Sequence, residues 1–102
     1  MLKGRLKTVA EEVKLALRIT GDDFDSEVAI LVESAVEDMR RVGINEYYIE
    51  DANPLVKLAI VTYAKARFGF DNPEADRFDA SYRQLVIDML HSNANADLGD
   101  YR

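Results

Sequence analysis

The stretch from Asn53 to Gly69 carries the strongest helix signals in the sequence. Asn53 suits the N-cap of a helix, and Pro54 suits the first helical position, where its missing N–H costs nothing. Gly69 suits the left-handed residue that follows a helix. The residues between them are apolar in nearly every direction around the axis, which is typical of a helix buried on most sides. The pattern predicts a central helix, too short and too charged to cross a membrane.

Two further helices precede this stretch. Thr8 and Glu11 have the spacing of a capping box, which predicts a first helix from about Val9 to Arg18. Apolar residues recur with alternating spacings of four and three between Asp25 and Val42, which predicts a second helix over that range. Asp23, Asp25 or Ser26 would cap it, and Gly43 would close it.

A last helix follows the central one. Asn72 and Pro73 repeat the Asn-Pro start, and an apolar stripe then continues to Leu90 before the helix frays near residues 91–93. The prediction is therefore an all-α fold, a small bundle of four helices packed around a central hydrophobic third helix, with no sheet of consequence. Residues 1–92 form a single helical domain, and 93–102 form a mobile C-terminal tail.

The connector at 44–52 is expected to contain a brief extended piece that lies across the bundle. Its apolar content is Tyr47, Tyr48 and Ile49. If these side chains are exposed, they make a docking patch for a partner. If they are buried, they are ordinary packing beneath a loop.

The charge of the chain is unevenly spread. The net charge is −6, which argues against tight binding to nucleic acid through phosphate contacts. Residues 21–51 carry ten acidic and two basic side chains, whereas residues 52–70 carry three basic and no acidic ones. Such blocks can pair within the fold or between neighbouring copies, or they can be solvated faces.

No catalytic, cofactor or metal site is predicted. The chain has no cysteine and one histidine, His91, so it offers neither a thiol nucleophile nor a zinc site of several imidazoles. The acids from Asp22 to Glu27 lack the glycine and glutamate of a calcium loop, and they are interpreted as acids at a helix N-terminus. A helix-turn-helix is rejected because the second helix is acidic and phosphates would repel it. The protein is therefore not expected to be an enzyme.

Two segments together resemble a known family. The segment LRITGDDFDSEV, residues 17–28, leads into the apolar and acidic helix ILVESAVEDM, and Asn53-Pro54-Leu55 opens a helix with Lys57, Ala59, Ile60, Tyr63 and Arg67. In order and spacing they resemble the tailed-phage head–tail connector proteins, the adaptor or head-completion proteins associated with DNA packaging. The resemblance spans about residues 8 to 90. The second Asn-Pro start after Gly69 departs from the family pattern.

The resemblance implies a structural virion protein of a phage or prophage. Such a protein forms a ring under the portal, connects the DNA-filled head to the tail and extends the DNA channel, with DNA only as passing cargo. Its partners would be other copies of itself, the portal protein and a downstream head-completion or tail protein, with no membrane and no cofactor. It would reside at the head–tail junction of the virion, and in the bacterial host cytoplasm before assembly.

Candidate contact residues follow from this implied ring. The acidic outer side of the second helix is expected to meet a basic face on the next copy, and the connector is expected to dock portal or tail partners. The acidic candidates are Glu33, Glu37 and Asp38, the basic ones are Lys57, Lys65 and Arg67 or else Lys3, Arg5 and Lys7, and the docking candidates are Tyr47, Tyr48 and Ile49. The alternative function is a small cytosolic helical regulator or partner-binding protein that dimerises through an amphipathic helix.

Overall fold

A computed structural model of the chain describes residues 4–69 and 71–91. Within these ranges the regular structure is helical, without a strand, so the predicted all-α bundle is confirmed. Four long helices correspond to the four predicted ones, and a short fifth helix lies in the connector. The helices are α1 (Arg5–Ala16), α2 (Asp25–Val42), α3 (Glu46–Glu50), α4 (Pro54–Arg67) and α5 (Ala75–His91).

Helix α4 is the centre of the bundle, because α1, α2 and α5 all pack against it. Its predicted start is confirmed: Asn53 Oδ1 accepts a 2.9 Å hydrogen bond from the Leu55 N–H, and Pro54 opens the helix. Gly69 follows with a φ of +90°, as expected for the residue after the helix. Burial is nevertheless incomplete. Leu55 and Leu58 remain 38% and 49% exposed, so the helices within residues 4–69 and 71–91 leave one side of the first two turns of α4 partly uncovered.

Helix α2 has the predicted bounds. Gly43 adopts a φ of +107°, and two backbone bonds close the end, from Gly43 N–H to Arg40 O and from Ile44 N–H to Met39 O. These two hydrogen bonds form a Schellman motif. The apolar residue that follows the glycine in this motif is Ile44, which is buried. The predicted side-chain cap is wrong. Phe24 occupies the cap position, and no side chain accepts a capping hydrogen bond there.

Helix α1 begins earlier than predicted. It starts at Arg5 after Gly4, so Thr8 lies inside the helix instead of capping it. Leu6 explains the longer helix. It packs against the core and adds one turn to the apolar face that contains the buried Val9 and Val13. At the other end Arg18 takes a left-handed φ of +62°, which stops the helix at Ala16.

The connector is helical, contrary to the expected extended piece. Asn45 Oδ1 accepts a 2.7 Å hydrogen bond from the Tyr47 N–H and so caps the single turn of α3. Ile49 in this turn is fully buried and belongs to the hydrophobic core. A local cap and one core anchor therefore decide the conformation of this segment.

Helix α5 begins at Ala75, two residues after the predicted position. Asn72 makes two bonds: its Oδ1 accepts from the Glu74 N–H at 3.0 Å, and its Nδ2 donates to Lys65 O at 2.7 Å. Asn72 thus joins the end of α4 to the start of α5, and residues 73–74 form a turn. The predicted C-terminal tail, residues 93–102, lies outside the described residues.

Candidate assembly surfaces

The acidic residues predicted on the outer side of α2 lie in different environments. The side chain of Glu37 is 71% exposed and accepts a 2.7 Å hydrogen bond from Arg40 Nη1, one turn along the same helix. Glu33 is half-buried and has an interaction of its own. Asp38 is placed differently from the prediction, because its side chain lies toward α5 instead of the outer side. Only part of the predicted acidic set therefore faces solvent.

Asp38 and Tyr82 form a hydrogen bond between α2 and α5. The Tyr82 hydroxyl donates to Asp38 Oδ2 at 2.7 Å, and Arg41 Nη2 donates to Asp38 Oδ1. Partial burial raises the pKa of Asp38, but the hydrogen bonds from Tyr82 and Arg41 outweigh it and hold that pKa below its ordinary value. Burial raises the pKa of Tyr82, and its bond to Asp38 raises it further. The two groups therefore stay as a carboxylate and a protonated hydroxyl at neutral pH.

Arg67 adds α4 to this contact between α2 and α5, and we call the group Asp38, Tyr63, Arg67, Asp79 and Tyr82 the junction. Its Nη2 lies 3.0 Å from Asp79 Oδ1, which ties the end of α4 to α5. Its guanidinium also lies 3.8 Å from the centre of the Tyr63 ring, a cation–π contact. Tyr63 in turn meets Tyr82 edge to face, with ring centroids 5.0 Å apart. Arg67 is thus committed to contacts within the chain.

The other two basic candidates of α4 point in different directions. Lys57 Nζ lies 3.2 Å from Glu12 Oε1 on α1, and Lys65 Nζ lies 5.6 Å from the centre of the Phe78 ring on α5. The structure therefore does not bring Lys57, Lys65 and Arg67 together as one basic face. Each of them joins α4 to a neighbouring helix.

The N-terminal basic candidates are only partly described. Arg5 Nε lies 3.5 Å from Asp51 Oδ1, with both side chains largely exposed. Lys7 is exposed on α1. Lys3 lies outside the described residues. Lys7 lies beside an open depression between α1 and α2.

The acids at the start of α2 pair with α1. Lys14 Nζ lies 2.6 Å from Asp25 Oδ1 and 3.9 Å from Asp22 Oδ1. The hydrogen bond to Asp25 raises the pKa of Lys14. No group of three or more potential metal ligands occurs among residues 4–69 and 71–91. The acidic cluster thus takes part in an ion pair between α1 and α2.

Arg40 holds α3 against the end of α2. Its Nε and Nη2 bind the two carboxylate oxygens of Glu46 at 2.6 and 2.7 Å. This bidentate ion pair raises the pKa of Arg40 and lowers the pKa of Glu46. The three docking candidates of the connector, Tyr47, Tyr48 and Ile49, differ in exposure. Tyr47 is 59% exposed and packs edge to face on half-buried Tyr48, whereas Ile49 is fully buried and cannot contact a partner.

An open groove between α2 and α5 was not predicted. We call it the α2–α5 groove; it measures about 430 Å³ and includes the junction described above. Val42 and Ile87 line it and remain 37% and 45% exposed. The signal was present in the sequence, since Ile87 is an aliphatic residue outside the apolar stripe of its helix. Its lining includes Arg41, Val42, Arg67, Arg83, Ile87 and Leu90.

The comparisons with known proteins identify a family. A family model described as phage connector protein matches residues 9–96, which cover nearly all of the helical bundle. No curated protein and no solved structure matches the chain. In the part of the chain that the structure describes, no helix is long and apolar enough to cross a membrane.

Proposed function

Since the chain belongs to the phage connector protein family, we propose that it forms a ring under the portal and connects the DNA-filled head to the tail. Membership confirms the family resemblance of the segments around residues 17–39 and 53–67. The family is structural and not enzymatic, and its members are phage components. In the proposed role, one helical domain over residues 1–92 extends the DNA channel at the head–tail junction, after folding in the bacterial host cytoplasm.

The family match over residues 9–96 carries this proposal, because it spans α2, α3, α4 and α5 and most of α1. A match of this extent covers the sequence of nearly the whole bundle, and not only the start of one helix. The partners implied are other copies of the chain, the portal protein and a downstream head-completion or tail protein.

The negative charge of the chain supports a role in which DNA passes the ring without binding tightly to it. A net charge of −6 gives few opportunities to neutralise phosphates, and phosphate neutralisation dominates the affinity of proteins for DNA. DNA is then a cargo that moves past the ring. Partner docking is assigned to the exposed ring of Tyr47, since Ile49 is buried and Tyr48 is partly covered.

Assembly with the portal is the direct test. The purified chain, alone and mixed with the portal protein encoded by the same phage or prophage, is examined by light scattering after size exclusion and by negative-stain microscopy. We expect rings, alone or on the portal, and joined heads and tails when the chain is added to particles that lack it. A fixed dimer that ignores the portal would favour the alternative of a small regulator and overturn the proposal.

The acidic side of α2 is the surface whose change should weaken the ring. The double variant Glu33→Lys and Glu37→Lys reverses two charges where a neighbouring copy is expected to bind, and we expect a clear loss of rings. The matched control reverses two acids beside the start of α5, Glu74→Lys and Asp76→Lys, which are exposed and far along the chain from α2. Equal assembly of both variants would remove α2 from the contact.

A further inference from the structure

Two aliphatic side chains that line the α2–α5 groove are partly exposed. Val42 ends α2 and Ile87 lies on α5, and both line the groove together with Leu90. Val42 is 37% exposed and Ile87 is 45% exposed. Contiguous exposed apolar surface with a polar rim is typical of a contact site for another protein surface.

The rim of the groove carries an excess of positive charge. Arg41, Arg67 and Arg83 face two acids, Asp38 and Asp79. The Arg41 and Arg83 side chains are 72% and 74% exposed, and they pair with Asp38 and Asp79 respectively. Because a guanidinium has five N–H donors, such exposed pairs leave both arginines able to bind a further carboxylate. The groove therefore fits an aliphatic side chain that is flanked by acids.

The outer face of α2 has this composition. Ile30 is 60% exposed, and Glu27 and Glu33 stand one turn before and after it. Asp25 to Met39 contains no basic residue, so this face is acidic as far as Met39, before Arg40 and Arg41 in the last turn. We propose that Ile30, with its flanking glutamates, inserts into the α2–α5 groove of a second copy of this chain.

The contact cannot form within one molecule. Ile30 and Val42 are twelve residues apart in one continuous helix, a distance of about 18 Å along the axis. A contact between two different surfaces of identical chains is head-to-tail, and such contacts close into a ring when the rotation between copies allows it. The inference rests on the proposed ring and identifies its basic face as Arg41 and Arg83, in place of the divided set Lys57, Lys65 and Arg67.

The absence of cysteine from the chain permits a direct test. Ile30→Cys and Ile87→Cys are made singly, and the two proteins are mixed, assembled alone or on the portal, and oxidised. We expect disulfide-linked dimers from the mixture and a ladder of linked copies from the double variant. The control replaces Ile30→Cys by Leu15→Cys, whose side chain is 76% exposed on α1, and it should link at least about tenfold less, since a disulfide needs Cα atoms within about 7 Å.

Two outcomes would overturn the inference while leaving the ring intact. In the first, rings form but the Ile30 and Ile87 pair links no better than the control. In the second, Leu98→Cys with Ile87→Cys gives a linked monomer, which would mean that the C-terminal segment fills the groove. Failure of the unmodified chain to form rings even with the portal would instead overturn the proposed function, and the inference with it.

Discussion

Two hydrogen bonds of α2 have the same length but differ in exposure and in the elements that they join. Asp38 accepts from Tyr82 at 2.7 Å across 44 residues of sequence, and Glu37 accepts from Arg40 at 2.7 Å across three. The Asp38 side chain is 30% exposed, and that of Glu37 is 71% exposed. The first bond lies at the junction of α2, α4 and α5, and the second lies on the surface of one helix.

The difference shows that burial and separation, and not bond length, decide what a polar contact contributes. An exposed pair within one turn competes with water and is weak, whereas a bond that joins two helices in a partly covered site leaves an unsatisfied group when one partner is removed. The junction should therefore control stability. The outer face of α2 should be free to contribute to assembly instead.

The largest effect is expected from Tyr82→Ala. Tyr82 is 3% exposed and contacts both Tyr63 and Asp38, so its truncation removes ring packing and leaves a cavity between α4 and α5. We expect a loss of about 3–5 kcal/mol in the free energy of unfolding, measured by urea denaturation. Tyr82→Phe keeps the ring and should lose about 1–2 kcal/mol. Equal losses in the two variants would contradict the division between packing and hydrogen bonding.

A smaller effect is expected from Asp38→Ala. This change leaves the Tyr82 hydroxyl without its acceptor and should cost about 1–3 kcal/mol of unfolding free energy. The double variant with Tyr82→Phe measures the coupling, since the second change should cost less once the first is made. Strict additivity in that cycle would show that the bond contributes nothing.

The pH dependence of stability should carry the same signature. The pKa of Asp38 lies below its ordinary value of 3.8 in the folded protein, so the folded state binds this proton less readily than the unfolded state. The stabilisation is present above pH 3.8 and is lost as the pH falls through the lower folded pKa. Acid titration followed by circular dichroism should show a shallower decline for Asp38→Asn. Since Arg40 also lowers the pKa of Glu46, Glu46→Gln is the parallel control.

The smallest effect on stability is expected from Glu37→Gln. Its exposed pair with Arg40 should contribute no more than about 0.5 kcal/mol, and Arg40 retains its two bonds to Glu46. Thermal unfolding should therefore be nearly unchanged. A loss as large as that of Asp38→Ala would mean that surface and junction charges do not differ as proposed.

Much of the helical framework could be predicted from sequence. The bounds of α2 and the start of α4 depend on local signals, namely apolar spacing, Gly43, and the Asn53-Pro54 start, and these proved correct. The errors arise where contacts beyond the local pattern decide the helix start. The Thr8 capping signal was overridden by packing of Leu6, and Asn72 places its helix two residues later because its side chain also binds Lys65 O.

The candidate surfaces were less predictable. Counting charges identified an acidic α2 but could not show that Asp38 lies toward Tyr82, or that the three basic residues of α4 each join a different contact. The α2–α5 groove was missed because no segment contains it. Its two aliphatic walls are 45 positions apart in sequence and meet only after α4 has placed α2 and α5 beside each other.

The all-helical class, a central α4 and the membership of a structural phage family follow from the order of residues alone. These properties depend on interactions three or four residues apart, or on a pattern spread over the whole chain. The tertiary structure alone decided which charges are partners and which surface stays open. Those choices depend on side chains brought together across the bundle, and the geometry of helix packing, not their order in the chain, sets the distances between them.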